Sequence, residues 1–331
     1  MTTPTKFSFI PILALALGSS VTAQKPTKPR PEPVKKILAT DPSEAGPDFA
    51  VQGEYARAAK ARGKKGAGAQ VIALGQGKFQ LVLHAGGLPG AGWKKGDKRE
   101  KADGETIDGL TTFKTAAWTA TIKNGELTLT GADGESPKPL KRTERKSPTL
   151  GAQPPVGALV LFDGSSAEHF DGGRLTKDKH LMAGSSTNKT MKNYSLHLEF
   201  RTPFKPDARG QGRGNSGVYV QGIYECQVLD SFGLEGKNNE CGGIYSIREP
   251  AVNMCYPPLS WQTYDIDFTS GTVKDGKKIN PRMTVRHNGV LIHDDVELPK
   301  TTRGGKKEGF LYLQGHGNPV VYRNIWMMEK N

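Results

Sequence analysis

At 331 residues the chain is long enough for two ordinary domains, each able to bury a core without metal or disulfide staples. Its 41 glycines and 22 prolines follow no collagen-like period and favour short strands joined by turns over long helices. Net charge is +13, of which residues 1–150 hold +10 (24 Lys+Arg against 14 Asp+Glu). Those charges lie in stretches such as Arg62-Gly63-Lys64-Lys65-Gly66, with no recognition helix and no interleaved aromatics. Nucleic acid is therefore set aside as a partner, in favour of solvated loops or attraction to acidic polysaccharide or envelope surface.

In chain order, residues 1–23 read as a secretory signal peptide. Lys6 precedes an apolar run from Phe7 to Leu17, and Val21-Thr22-Ala23 forms a small-x-small cleavage site. No later segment approaches the length of a membrane span, so the expectation is a periplasmic or secreted protein. Residues 24–45 are a proline-spaced charged linker, expected to be extended and mobile. Residues 46–146 read as a small β-rich domain, with a short helical turn around Glu54 to Lys60 and hairpins at Gly75-Gln76-Gly77 and Lys123-Asn124-Gly125. His84, its only histidine, has no partner at a telling spacing. Residues 147–155 are the connector, and 156–331 form the second domain.

That second domain alternates. Tyr194 to Arg201 puts Tyr, Leu, Leu and Phe on one face and Ser, His, Glu and Arg on the other, as in a strand with a core on one side and an open polar face available to a ligand. Further strands are expected at 216–221, 224–229, 262–269, 282–287, 290–293, 310–313 and 320–328, with a type I′ turn at Asn288-Gly289. Cys226, Cys241 and Cys255 match no zinc spacing and read as buried thiols or one local disulfide.

The chemistry centres on Gly214 to Asp230. Glu225 and Gln227 are two apart and share a strand face, with Cβ atoms roughly 6.5 Å apart. Asp230 joins that face only through a bulge. Such a trio could bind a sugar and move protons; a polar outer face is the plainer alternative.

The chain resembles the 3-keto-disaccharide hydrolase family. The resemblance is carried, in order, by Val160-Leu-Phe-Asp-Gly164, Leu198-Glu-Phe-Arg201, Gly214-Asn-Ser-Gly217, Tyr224-Glu225-x-Gln227-Val-Leu-Asp230, Cys241-Gly-x-Ile-Tyr245, Trp261-Gln-Thr-Tyr-Asp265, His287-Asn-Gly289, His316-Gly-Asn-Pro319 and Arg323-Asn-Ile-Trp326. It implies an all-β fold, a concanavalin-like jelly-roll sandwich preceded here by the small β-rich domain. It also implies cleavage of 3-keto-glycosides, supplied by a separate sugar 3-dehydrogenase, by C2 proton abstraction, elimination of the C1 substituent and water addition. Laminarinase-type glycosidases of the same fold carry Glu-x-Asp-x-x-Glu where this chain has Glu225-x-Gln227-x-x-Asp230. The lost central acid and shortened last one turn the expectation from direct displacement at C1 to proton transfer.

The expected catalytic groups are Glu225, then Asp230, then His316. Arg201, Asn215 and Gln227 are candidates for binding hydroxyls or the ketone, and Tyr245 and Trp261 for stacking on a ring. No cofactor is required, but a divalent metal on Glu225, His287 and His316 stays open. The rival readings are a non-catalytic lectin-like sandwich and an envelope structural or adhesion protein.

Overall fold

Five two-residue turns, each a Gln, Asp or Asn followed by Gly, set much of the strand register. Gln76-Gly77, Asp108-Gly109, Asn124-Gly125, Asp275-Gly276 and Asn288-Gly289 have positive φ at both positions, for example 51° at Asn288 and 77° at Gly289. This is the I′ geometry, whose twist matches that of the flanking strands. The computed structural model describes residues 1–2, 36–57, 66–302 and 309–330. Residues 3–35, which hold most of the expected signal peptide and the first part of the expected linker, lie outside the described residues, and no described helix is long and apolar enough to cross a membrane.

The first assembly is a closed antiparallel barrel of eight strands, around the wall in the order β1-β10-β9-β8-β7-β6-β3-β2. Its strands are β1 (Gly53–Arg57), β2 (Gly66–Gly75), β3 (Lys78–Gly86), β6 (Arg99–Ile107), β7 (Leu110–Lys114), β8 (Trp118–Lys123), β9 (Glu126–Gly131) and β10 (Leu140–Thr143). A two-residue parallel pair, β4 (Leu88–Pro89) and β5 (Gly92–Trp93), lies in the β3–β6 connection. Alternate residues such as Val71, Phe79, Leu81 and Phe113 fill the interior at 0 % exposure, as a small barrel requires. Of the helical turn expected at Glu54–Lys60, residues 58–60 lie outside the described residues and 54–57 belong to strand β1, which closes the barrel; a helical turn occurs earlier, as α1 (Pro47–Val51), where Pro47 pre-sets the first helical φ. Residues 36–45, read with the mobile linker, are packed: Ala39 bridges Phe204 and is fully buried.

The second assembly is a sandwich. One sheet runs β11-β24-β15-β18-β21-β22, with β13 also on β24, and the other β12-β14-β23-β16-β17. The seven-stranded sheet comprises β11 (Leu159–Phe162), β13 (Leu181–Met182), β15 (Tyr194–Arg201), β18 (Gln262–Thr269), β21 (Arg282–His287), β22 (Val290–Glu297) and β24 (Val321–Glu329). The five-stranded sheet comprises β12 (Phe170–Asp171), β14 (Ser185–Thr187), β16 (Ser216–Val220), β17 (Tyr224–Val228) and β23 (Tyr312–Leu313); β19 (Thr272–Lys274) and β20 (Lys277–Ile279) form a separate ribbon. Leu196, Leu198 and Phe200 of β15 meet Val218, Val220, Cys226 and Val228 across one core. Each such fully buried side chain contributes roughly 1.5–3 kcal/mol. The three cysteines are buried and free, in that core.

The polar face of β15 is not open. The segment after the barrel is strapped across it: Ser147 and Thr149 bond Thr263, Thr149 bonds Asp265, and the Gly151 N–H donates to Glu199 at 2.5 Å. Arg323 also donates to Glu199, at 2.6 Å, and Asn324 at 3.1 Å. His197 bonds Asp265 at 2.6 Å, and it and Glu199 are fully buried. Burial would raise the Glu199 pKa, but bonds from His197, Asn324, Gly151 and Arg323 outweigh it and hold it at about 2. The strap consumes the hydrogen-bonding capacity that alternation alone assigns to solvent.

Barrel and sandwich are joined by apolar packing, with Phe204 and Leu259 in the barrel core and Phe232 on Ile72 and Val82, and by arginines, so part of the basic excess of the first half is structural. Arg99 donates to the Gly233 carbonyl, Arg145 to Glu54 and the Pro89 carbonyl while lying 5.0 Å over the Tyr256 ring, and Arg209 to the Leu74 carbonyl. Glu54 also takes a bond from Gln70, whose Oε1 meets His84 Nε2 at 3.0 Å. At the centre Arg213 pairs with Asp230 at 2.6 Å and donates to the carbonyls of Ala73 and Pro206, with both side chains buried. Removing one partner of a buried pair leaves the other charge uncompensated. Asp230→Asn should therefore lower unfolding free energy by about 3 kcal/mol, read by urea denaturation; a change within 0.5 kcal/mol, roughly that of a neutral surface substitution, would show the pair to be dispensable.

Candidate active site

The hairpin β16–β17 turns through Gln221-Gly222-Ile223, pairing Val220 with Tyr224, Tyr219 with Glu225 and Gly217 with Gln227. Because Val218, Val220, Cys226 and Val228 face the core, period-2 alternation sends Asn215, Gly217, Tyr219, Glu225 and Gln227 to the opposite face. The next strand adds Tyr312 opposite Tyr219, and Gln314 donates its backbone N–H to the Gly217 carbonyl.

Gly217 is the floor of this face. A Cβ there would lie 2.4 Å from Glu225 Oε1 and 3.0 Å from its Cδ, so the carboxylate folds into space that only glycine leaves. Glu225 Oε2 accepts from the Tyr219 hydroxyl at 2.8 Å, and Gln314 Nε2 donates to that hydroxyl at 3.3 Å. The Glu225 side chain is nearly enclosed, and no described cation forms an ion pair with it. Burial therefore dominates, against the Tyr219 bond, and raises its pKa to about 7. Burial and the neighbouring carboxylate push the Tyr219 phenol far up, so it stays a neutral donor. Such a carboxyl exchanges protons near neutrality, which is what a general acid/base needs.

Amides surround it. Asn215 and Gln227 both donate to Gln211 Oε1, at 2.9 and 3.3 Å, and each is 1 % exposed. Tyr245 donates its backbone N–H to the Glu225 carbonyl at 3.0 Å, and its phenol is close enough to act on the titration of Tyr219. The fold thus brings together Glu225, Gln227, Asn215 and Tyr245 of the residues expected from sequence. Tyr219, Gly217, Gln211 and Gln314 were missed; the three-residue turn at 221–223 was the available signal for the first two, since it determines what lies opposite Glu225 and Gln227.

Asp230, Arg201, Trp261 and His287 are engaged elsewhere. Asp230 is held by Arg213 in the junction, so the bulge that would have carried it to Glu225 is not formed. His316 is on an exposed loop two residues after Gln314, and its backbone carbonyl accepts from Asn318. Arg201 and Trp261 belong to the other sheet: Arg323 lies 4.0 Å and Arg201 5.0 Å from the Trp261 ring centre, and His180 meets it edge-on. That indole is engaged by guanidinium groups, which removes it as a platform beside Glu225. His287 is fully buried in the core, its Nε2 on Gln262 at 3.0 Å, and burial lowers its pKa to about 3. Glu225, His287 and His316 therefore do not assemble a metal site, and no group of three metal-ligating side chains is found among the described residues.

The raised pKa of Glu225 sets a sign for stability. Between the ordinary 4.5 and about 7 the folded state holds a proton that the unfolded chain has released. This contribution is complete below pH 4.5 and is lost as pH rises through 7, on the order of 3 kcal/mol. Glu225→Gln keeps an acceptor for Tyr219 and removes the titration. Its unfolding free energy should match wild type at pH 5 and exceed it at pH 8.5, as measured by denaturant titration; parallel curves for the two proteins would mean that Glu225 ionises normally.

Residues 157–328 match the family model of the 3-keto-alpha-glucoside-1,2-lyase-like domain. No curated protein matches the chain. Solved structures that match include three from Parabacteroides distasonis ATCC 8503, each provisionally named a glycosyl hydrolase. One shares 28 % identity over 53 % of this chain and 84 % of its own, with a TM-score of 0.47. The others share 21 % over 52 % of this chain and 99 % of their own, and 16 % over 53 % and 95 %, both with a TM-score of 0.38. The family match covers just over half of the sequence, the half that carries Glu225, and the chain belongs to the 3-keto-alpha-glucoside-1,2-lyase-like family of carbohydrate-active enzymes.

Proposed function

We propose that the protein cleaves 3-keto-glycosides by elimination across C1–C2, with Glu225 as both base and acid. The observation that carries this reading is a buried carboxylate bonded to a phenol and poised near pH 7 on a face lined with amides. A ketone at C3 acidifies the C2 proton, so a base of that strength is sufficient. Glu225 takes the proton, the C2–H electrons form the C1=C2 double bond, and the C1–O bond breaks. The departing oxygen receives the proton that Glu225 has just gained. The products are the free aglycone alcohol and a 2-hydroxy-3-keto-glucal, and water adding at C1 completes net hydrolysis. With Asp230 tied to Arg213, a single group shuttling one proton fits the site better than the two-carboxylate displacement of retaining glycosidases. Tyr219 fixes the carboxylate rotamer and remains uncharged throughout.

The substrate comes from a dehydrogenase that oxidises sugars at C3. The apolar run ahead of Val21-Thr22-Ala23 supports action after export from the cytoplasm.

Offered a 3-keto-glucoside and its unoxidised parent, the purified enzyme should release aglycone from the former alone, with kcat/KM rising through pH about 7 as Glu225 ionises. Glu225→Gln should lose at least ~100-fold in kcat, in the range of general acid–base contributions. Turnover restricted to the parent glycoside would sink the keto-sugar reading, and full activity in the variant would remove Glu225 from the mechanism.

Gly217→Ala tests the floor of the site. Its backbone suits alanine, but the new methyl displaces the carboxylate. The variant should fold with kcat reduced about tenfold or more and a shifted pH profile; wild-type kinetics would show that the glycine does not position Glu225.

A further inference from the structure

Gln211 sits in the 3₁₀ turn Gly210–Gly212, and one end of its amide is fixed. Its Nε2 donates to the Asn239 carbonyl at 2.9 Å, an oxygen that can only accept. Gln211 Oε1 must then face the site, where Asn215 Nδ2 and Gln227 Nε2 both donate to it. Asn215 Nδ2 also donates to the Gln211 backbone carbonyl at 3.0 Å. These acceptors settle which way both amides point, a choice that side-chain shape alone leaves open.

The consequence appears at the other ends of the amides. Asn215 Oδ1 and Gln227 Oε1 are buried without a hydrogen-bond partner among the described residues. Gln314 Oε1, across Gly217, is in the same condition, with its Nε2 on Tyr219. An unpartnered buried acceptor costs roughly 1–3 kcal/mol, a cost removed when an O–H donor arrives. The face around Gly217 therefore holds buried amide oxygens in want of a donor, and their orientation traces back through Gln211 to one backbone carbonyl.

We propose that Asn215 and Gln227 form an acceptor pair for two hydroxyl groups of a neutral pyranose, and that Gln211 is the positioning residue that orients the pair. This rests on reading the face as a sugar site and adds its polarity. A ketone oxygen only accepts, so the pair binds ring hydroxyls and leaves the C3 carbonyl to other groups of the site. An unoxidised glucoside presents the same hydroxyls and serves as the probe.

The test is equilibrium binding to the Glu225→Gln protein, where turnover cannot intervene. Methyl α-D-glucopyranoside and its monodeoxyfluoro analogues would be titrated by calorimetry, since fluorine cannot donate. Fluorine at two ring positions should raise Kd about tenfold each, the effect of losing one donor to a buried acceptor. Adding Gln211→Leu should raise the parent Kd about tenfold and abolish the discrimination. Gln211→Glu accepts from both amides through one oxygen and, when protonated on the other, still donates to the Asn239 carbonyl, so it should restore the discrimination below its carboxyl pKa. Circular dichroism would confirm that each variant is folded. Equal Kd across the fluorinated series, an unaffected Gln211→Leu variant, or no binding of the parent sugar would each overturn the proposal. None of these outcomes depends on catalysis, so sugar selectivity without keto-sugar turnover in the native enzyme would defeat the lyase reading and leave the acceptor pair standing.

Discussion

A carboxylate buried beside a phenol, with no described cation paired to it, is the constraint around which the site is arranged. Desolvation disfavours its charged form, so the protein holds a group whose ionisation near neutrality is costly to the fold and useful to the chemistry. Three features make this tolerable: the Tyr219 hydroxyl on Oε2, the missing side chain at Gly217, and the packing of the hairpin against the sandwich core. A cation in contact would stabilise the carboxylate and lower its basicity. The arginines instead work at the junction, on Asp230 and Glu54, and on Glu199 of the other sheet.

The two sheets treat their polar faces in opposite ways. On the seven-stranded sheet, Glu199 and Asp265 take bonds from the strap between Ser147 and Ala152, and His197 is bonded by Asp265 in turn. On the five-stranded sheet, the face around Gly217 keeps three amide oxygens unpartnered among the described residues. Polar groups fully satisfied by the chain itself hold architecture together, whereas polar groups left in want of a donor mark where another molecule belongs. The difference lies in the partners; residue types are similar on both faces.

Much of the fold is legible in the residues. Asn124-Gly125 and Asn288-Gly289 announce their hairpins because both positions need positive φ, and the alternation Tyr194 to Phe200 marks a strand with one face in the core. The same alternation misleads about the other face, since nothing local shows that residues 147–152 return to cover it. Glu225 and Gln227 are legible together because parity along one strand suffices. Tyr219, Gly217 and Gln314 require cross-strand register, and Gln211 requires a turn to fold back over the sheet. Asp230 and Trp261 were misplaced for a common reason: an acid or an aromatic looks available until the arginine that engages it, Arg213 or Arg323, is located. Closure of the barrel depends on pairing β1 with β10, between residues nearly ninety positions apart, and no local pattern encodes it.

The position of β24 has a consequence for the order in which the molecule can be made. This last strand is interior to its sheet, paired on one side with β11 and on the other with β15. Every strand of the barrel is encoded by residue 143, but the sandwich lacks a central member until Val321–Glu329 is made. Until then β15 has one edge without its partner, the condition in which nascent β proteins associate wrongly. The long-range pairing also makes this sheet a slow element of high contact order. The sandwich therefore cannot close until residues 321–329 have been made, whereas the barrel has all of its strands by residue 143.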